Sequence, residues 1–235
     1  MPIEFEADAG ADTGTINQLV TTLFGEGSQA IDIVILLTIL TLLPSILMML
    51  TAFTRIIIVL SFVRQALSMQ QTPPNQILIG LALFLTFFVM QPVLSVVYED
   101  AYVPFTEGQL TQEEFIEAAM DPTRRFMYEQ VYDSDLGFFI NLSSIDIPEN
   151  PTLDDVPSSV LIPAFITSEI KHAMLIGFII YLPFIVIDMI VASTLMSMGM
   201  MMLPPAMISL PFKVLLFVMV DGWQLIIGSL VGTFY

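Results

Sequence analysis

At 235 residues, with 56% hydrophobic side chains and a mean hydropathy of +0.84, the chain is too apolar for a soluble domain of its length and reads as a membrane protein. A formal net charge of −17 excludes nucleic acid as a partner, because acidic stretches offer nothing to phosphate. With no Cys, disulfides and thiolate metal sites are excluded as well.

In chain order, residues 1–30 carry five carboxylates (Glu4, Glu6, Asp8, Asp12 and Glu26) and no base. Ile33 to Thr54 is an uncharged apolar block, and after Arg55 the run IIIVLSFV continues it to Arg64. That is longer than the roughly 20 residues one bilayer crossing needs. Pro44 is a candidate kink, since its ring removes a helix hydrogen bond. The breaker QTPPNQ (Gln71 to Gln76) ends this segment, and a second uncharged block, Ile77 to Tyr98, follows to complete a helical hairpin.

A polar insert comes next, holding fourteen carboxylates between Glu99 and Asp155 against Arg124 and Arg125. Thr111 and Glu114 form a capping box, and Asp121-Pro122 reads as a second helix start, so two short helices are expected. The stretch IDIPENPTLDDVPSS reads as a loop, with three prolines and four carboxylates. Two further apolar blocks, about Ala164 to Met198 and about Ala206 to Phe234, form a second hairpin around MSMGMMMLPP. The organisation is therefore an all-α membrane protein: an acidic segment (1–30), a first hairpin (31–98), an acidic insert (99–163) and a second hairpin (164–235). Arg55 and Arg64 flank the loop inside the first hairpin, which puts that loop in the cytoplasm and the N-terminal segment and insert outside; Lys171 argues slightly the other way.

The runs FTRIIIVLSFVRQAL (Phe53 to Leu67), QQTPPNQILIGLALFLTFFVMQPV (Gln70 to Val93) and IDMIVASTLMSMGMMMLPPAMISLPFKVLLFVMVDGW (Ile187 to Trp223) resemble the FliP family, the P subunit of the flagellar type III export gate, which has relatives in injectisomes. The resemblance covers both hairpins, about three fifths of the chain; the insert matches in position and character only. It implies assembly of several copies, a pentamer, with FliQ and FliR into a helical cone, associated with FlhB and FlhA, through which unfolded flagellar proteins pass. Many members begin with a cleavable signal peptide. MPIEFEADAG has neither a basic nor an apolar region of that kind, so the chain is expected to begin at or near a mature terminus.

The methionine stretch suits a pore that admits varied chains. Thioethers are polarisable and unbranched, and they repack around irregular shapes. Gly199, Pro204 and Pro205 break the helices there, so that Met198, Met200, Met201 and Met202 line a gate; the family resemblance identifies Met200 to Met202 with a gasket loop. An apolar constriction also excludes ions by dewetting. The plainer alternative is that the methionines fill a membrane-embedded core.

Arg55, Asp188, Lys213 and Asp221 lie within apolar runs, where each would cost about 2.5 to 3.5 kcal/mol facing lipid. Burial against protein or water is expected for all four. Folding the second hairpin about Leu203 brings Lys213 level with Asp188, whereas Glu169 reaches Lys213 only from another subunit or after a different bend; both pairings stay open. These charges either fix helix register in an assembly or relay protons. Gly228 and Gly232 form a small-xxx-small pattern for close helix packing. Phe84, Phe87 and Phe88 recur at helical spacing as packing residues. His172 is the only histidine, and no HExxH, GxSxG or GxxxxGK[ST] occurs, so neither enzyme activity nor a cofactor or metal is expected. A secondary transporter or ion channel is the competing class, given interrupted helices and buried charges.

Overall fold

The computed structural model describes residues 29–69, 71–143, 145, 148, 151–200 and 203–235. Among them every regular element is helical, as the sequence leads one to expect. The chain forms two units, residues 1–47 and 48–235. In the first, helix α1 begins at Gln29 and runs to Leu50, just inside the second unit; Val34, Leu37 and Leu40 are exposed. Most of the acidic N-terminal segment, residues 1–28, lies outside the described residues.

Pro44 lies inside α1, which runs on to Leu50; the chain then breaks at Thr51 and Ala52. The Met48 carbonyl left over at that end accepts a hydrogen bond from the Thr54 hydroxyl at 2.6 Å. Helix α2 (Phe53–Ala66) is the centre of the fold. Phe53, Ile56, Val59, Leu60 and Val63 form a buried helical stripe, and α2 packs on both α3 (Asn75–Val97) and α7 (Ser158–Ser197). At Gly177 of α7 an added Cβ would come within 2.4 Å of the Phe62 ring, so only glycine permits this approach. Helix α2 ends in a Schellman motif: Met69 N–H donates to the Arg64 carbonyl (3.2 Å) and Ser68, at φ +58°, to that of Gln65 (2.9 Å).

Leu78, Ala82, Thr86, Val89 and Met90 turn inward on α3, while Phe84, Phe87 and Phe88 are exposed. Within this chain these phenylalanines do not pack on the core; they sit on the opposite face of α3. Helical backbone continues through a π-turn (Tyr98–Tyr102) and α4 (Val103–Thr106). The Thr111–Glu114 capping box opens α5 (Gln112–Gln130). No helix starts at Asp121-Pro122, because α5 runs straight through Pro122. The Phe126 and Met127 face packs inward, and contacts of this kind outweigh the roughly 3 kcal/mol cost of an internal proline. The insert's second helix is α6 (Asp133–Leu142), packed on α7 and without a sequence signal of its own.

A one-turn helix, Leu153–Asp155, interrupts the loop before α7. Helix α7 has 40 residues, about 60 Å at 1.5 Å per residue, roughly twice the 30 Å hydrocarbon thickness of a bilayer. Helix α8 (Pro205–Met219) and α9 (Gly222–Val231) meet at a 64° bend, so the fourth apolar block is broken rather than continuous. Among the described residues two helices, Asn75–Thr106 and Ser158–Ser197, are long and apolar enough to cross a membrane, or four if each of two bent pairs is one span: Pro44–Leu50 with α2, bent by 86°, and α8 with α9.

Candidate functional site

Arg55, on the core-facing side of α2, is fully buried against Glu169 of α7, itself fully buried. Its Nε donates to Glu169 Oε2 at 3.1 Å, and one Nη closes a second bond to Oε1 of the same carboxylate, the bidentate fork that a guanidinium favours. The other Nη donates to the carbonyl and hydroxyl oxygens of Thr233, both at 3.1 Å, and the last N–H reaches Gln130 Oε1 at 3.1 Å. All five donors are satisfied. The Phe234 ring covers the guanidinium, 4.0 Å from Cζ to the centroid, and Gln130 Nε2 donates to the Phe234 carbonyl at 3.3 Å. One side chain therefore joins α2, α5, α7 and the segment after α9.

A second node lies toward the other end of α2. Lys213 of α8 is fully buried, and its ammonium donates to Asp188 Oδ2 (2.6 Å), the Ala66 carbonyl (3.1 Å) and Ser68 Oγ (2.8 Å). Placing a cation on the last carbonyls of α2 is favourable both for the leftover acceptors and for the helix dipole. Ser209 Oγ donates to Asp188 Oδ1 at 2.5 Å, completing the carboxylate. A third cluster ties α6 to α7: Asp135 is paired with Lys171 and accepts from Ser168 Oγ at 2.9 Å, while Tyr132 stacks on His172 at 4.1 Å and its hydroxyl bonds Nδ1 at 3.1 Å.

The structure thus brings Asp188 to Lys213 within one chain. It brings Glu169 not to Lys213 but to Arg55, because α2 lies along α7 and separates the two halves of the second hairpin's charge set. Asp221 departs from the expected burial. The residue stands at the α8–α9 bend in the left-handed region (φ 49°, ψ 49°) with its side chain exposed. Gly228 has nothing within 4 Å of an added Cβ, and the nearest atom at Gly232 is the Gly228 carbonyl of its own helix, so among the described residues no other helix closes on that pair. Among the described residues no group of three His, Asp or Glu is placed to hold a metal ion.

At the far tip of the second hairpin, α7 ends in a Schellman motif. Met200 N–H donates to the Leu195 carbonyl (3.0 Å) and Gly199 N–H to that of Met196 (3.1 Å), with Gly199 at φ +76°. Met196, Met198 and Met200 are exposed, by 64%, 64% and 43%. Pro204 caps α8 and Pro205 is its first residue. Met201 and Met202 lie outside the described residues. Sequence reasoning missed Gln130, Thr233, Phe234, Ser209 and Ser68; all are uncharged, and none is marked by spacing.

Bilayer-length helices, interior charges paired within the chain and a polar insert define an all-α membrane protein. The sequence matches the FliP family over residues 36–230, and the chain belongs to that family. It is 53% identical over 221 residues to the flagellar biosynthetic protein FliP of Pectobacterium carotovorum, covering 92% of this chain and 85% of that protein. The protein of the same name from Bacillus subtilis is 51% identical, with 88% and 93% covered, and that from Borreliella burgdorferi 52% identical, with 87% and 81% covered.

Proposed function

We propose that the chain is a pore-forming core subunit of the flagellar type III secretion export gate, in the bacterial inner membrane at the flagellar basal body. Copies of it, a pentamer, join FliQ, FliR, FlhB and FlhA, and unfolded flagellar proteins pass through the cone they make. The N-terminal segment and the acidic insert lie on the extracytoplasmic side, and the role is not enzymatic. The observation that carries this reading is the α7–α8 tip: a glycine-terminated helix end that carries exposed Met198 and Met200 toward Met201 and Met202, on a hairpin locked below by Lys213 and Asp188. Repeated around an axis, such tips form a deformable apolar seal. Asp221, Gly228 and Gly232, exposed in the single chain, then serve as contacts between subunits.

Replacing Met200, Met201 and Met202 together by Ala is expected to make cells leaky to small solutes while flagellar protein secretion persists, measured as ion and dye uptake beside secreted protein. A membrane that stays tight removes the seal. A secondary transporter or ion channel is the rival class, favoured by the paired Lys213 and Asp188 deep in the helices. Movement of a small solute by the purified chain alone in vesicles would support that class instead. An injectisome role fits the same fold, but the relatives above carry flagellar names.

A further inference from the structure

Between the far half of α3 and the middle of α5 runs a groove of about 440 Å3, closed at one end by the residues after α9. Its floor is apolar, made by Val93, Val96, Phe126 and Phe234. Phe126 and Phe234 stack at 6.3 Å, and Phe234 carries the Arg55 guanidinium on its ring, so the floor is fixed by the buried node described above. The rim is acidic. Asp100, Asp121 and Glu129 line it; Arg125 is tied to Asp121 at 3.1 Å, and neither Asp100 nor Glu129 joins an ion pair among the described residues.

We propose that this groove docks an apolar segment bearing Lys or Arg from a polypeptide other than this chain. An apolar trough with two unneutralised carboxylates on its rim is complementary to a hydrophobic anchor flanked by a cation. A second copy is a poor occupant. The six bases of the chain are each already bonded within it: Arg55 to Glu169, Arg64 to Asn75, Arg124 to the Leu153 and Val156 carbonyls, Arg125 to Asp121, Lys171 to Asp135 and Lys213 to Asp188. A copy brought to the groove would add negative charge to negative charge, on a chain whose formal net charge is −17. The inference stands apart from the methionine seal and does not depend on it.

The test uses the full chain in cells where it replaces the native copy, with the photocrosslinker p-benzoylphenylalanine in place of Val96, which is 41% exposed, and of Phe84, outside the groove, as control. The expected result is an adduct from Val96 to a different polypeptide, mapped by mass spectrometry to an apolar stretch within a few residues of Lys or Arg. Its yield should fall about tenfold or more when Asp100→Lys and Glu129→Lys are combined, while the Phe84 adducts are unchanged. The milder pair Asp100→Asn with Glu129→Gln, read the same way, guards against misfolding of the charge-reversed chain and should lower the yield by a smaller factor. An adduct to the chain's own copies, an adduct to lipid alone, no adduct at Val96, or a yield indifferent to both pairs of substitutions would each overturn the proposal.

Discussion

Arg55 and Met198 sit in two regions built on opposite chemistry. Around Arg55, five N–H groups meet five acceptors from three further parts of the chain; Arg55 and Glu169 are fully buried, while Gln130 is half-buried and Thr233 reaches the surface. At the α7 tip backbone bonds close the Schellman turn, with one local bond from the Ser197 hydroxyl to the Thr194 carbonyl (2.8 Å), and the side chains of Met196, Met198 and Met200 are exposed. Directional bonds in a dry interior admit one arrangement. Unbranched thioethers on a glycine-terminated turn admit many. The difference locates rigidity at the buried helix contacts and compliance at the glycine-terminated tip.

That contrast can be broken first at Glu169. Glu169→Ala leaves a buried guanidinium without its counter-charge and is expected to cost about 3 to 5 kcal/mol, read as loss of folded protein in detergent melting. Arg55→Met combined with Glu169→Leu should recover most of that loss, since an apolar pair of similar volume needs no neutralisation. A Glu169→Ala protein that melts like the parent would show that the node does not hold the fold. Lys213→Met is expected to be milder, about 2 kcal/mol, because its partner Asp188 keeps the Ser209 bond and its side chain is 31% exposed to solvent.

Substitution at the tip sharpens the comparison from the other side. Met198→Ala should shift stability by no more than about 0.5 kcal/mol, as surface changes do, so any effect on permeability would arise without unfolding. The smallest effect concerns Glu114, whose carboxyl is held below its ordinary range by hydrogen bonds from the Thr111 backbone and then the Thr111 hydroxyl. A depressed folded pKa means the capping box contributes fully above the unfolded value and fades as pH falls through the lower, folded one. Amide exchange in the first turn of α5 should therefore rise only in acid, below the usual carboxylate range, and Glu114→Ala should abolish that dependence. An acid response unchanged by the substitution would assign it to other carboxylates.

Much of this was legible from the sequence, and what was not has physical causes. The Thr111 capping box and the breaks at Gly199 and Pro204 depend on local chemistry, and the structure shows each; the first and fourth apolar blocks, in contrast, are each interrupted where hydropathy runs on. The Arg55–Glu169 pair spans 114 residues and depends on α2 packing along α7, which no local pattern states. Charge counting treated Arg55 as a loop base, yet it is an interior residue neutralised by its own chain, so the orientation argument rests on Arg64 alone. Pro122 misled because a helix start and a tolerated internal proline look alike until the packed face is known. Asp221 looked buried because hydropathy cannot see that α8 stops two residues earlier.

The Arg55 node also has a consequence for biosynthesis. Two of its acceptors belong to Thr233, 178 residues downstream, and at typical translation rates they leave the ribosome roughly 10 to 35 s after Arg55 does. Throughout that interval the guanidinium is already committed to an apolar helix without its full set of partners. The node therefore closes only after nearly the whole chain has been made, so its completion reports on the finished chain rather than on α2 alone.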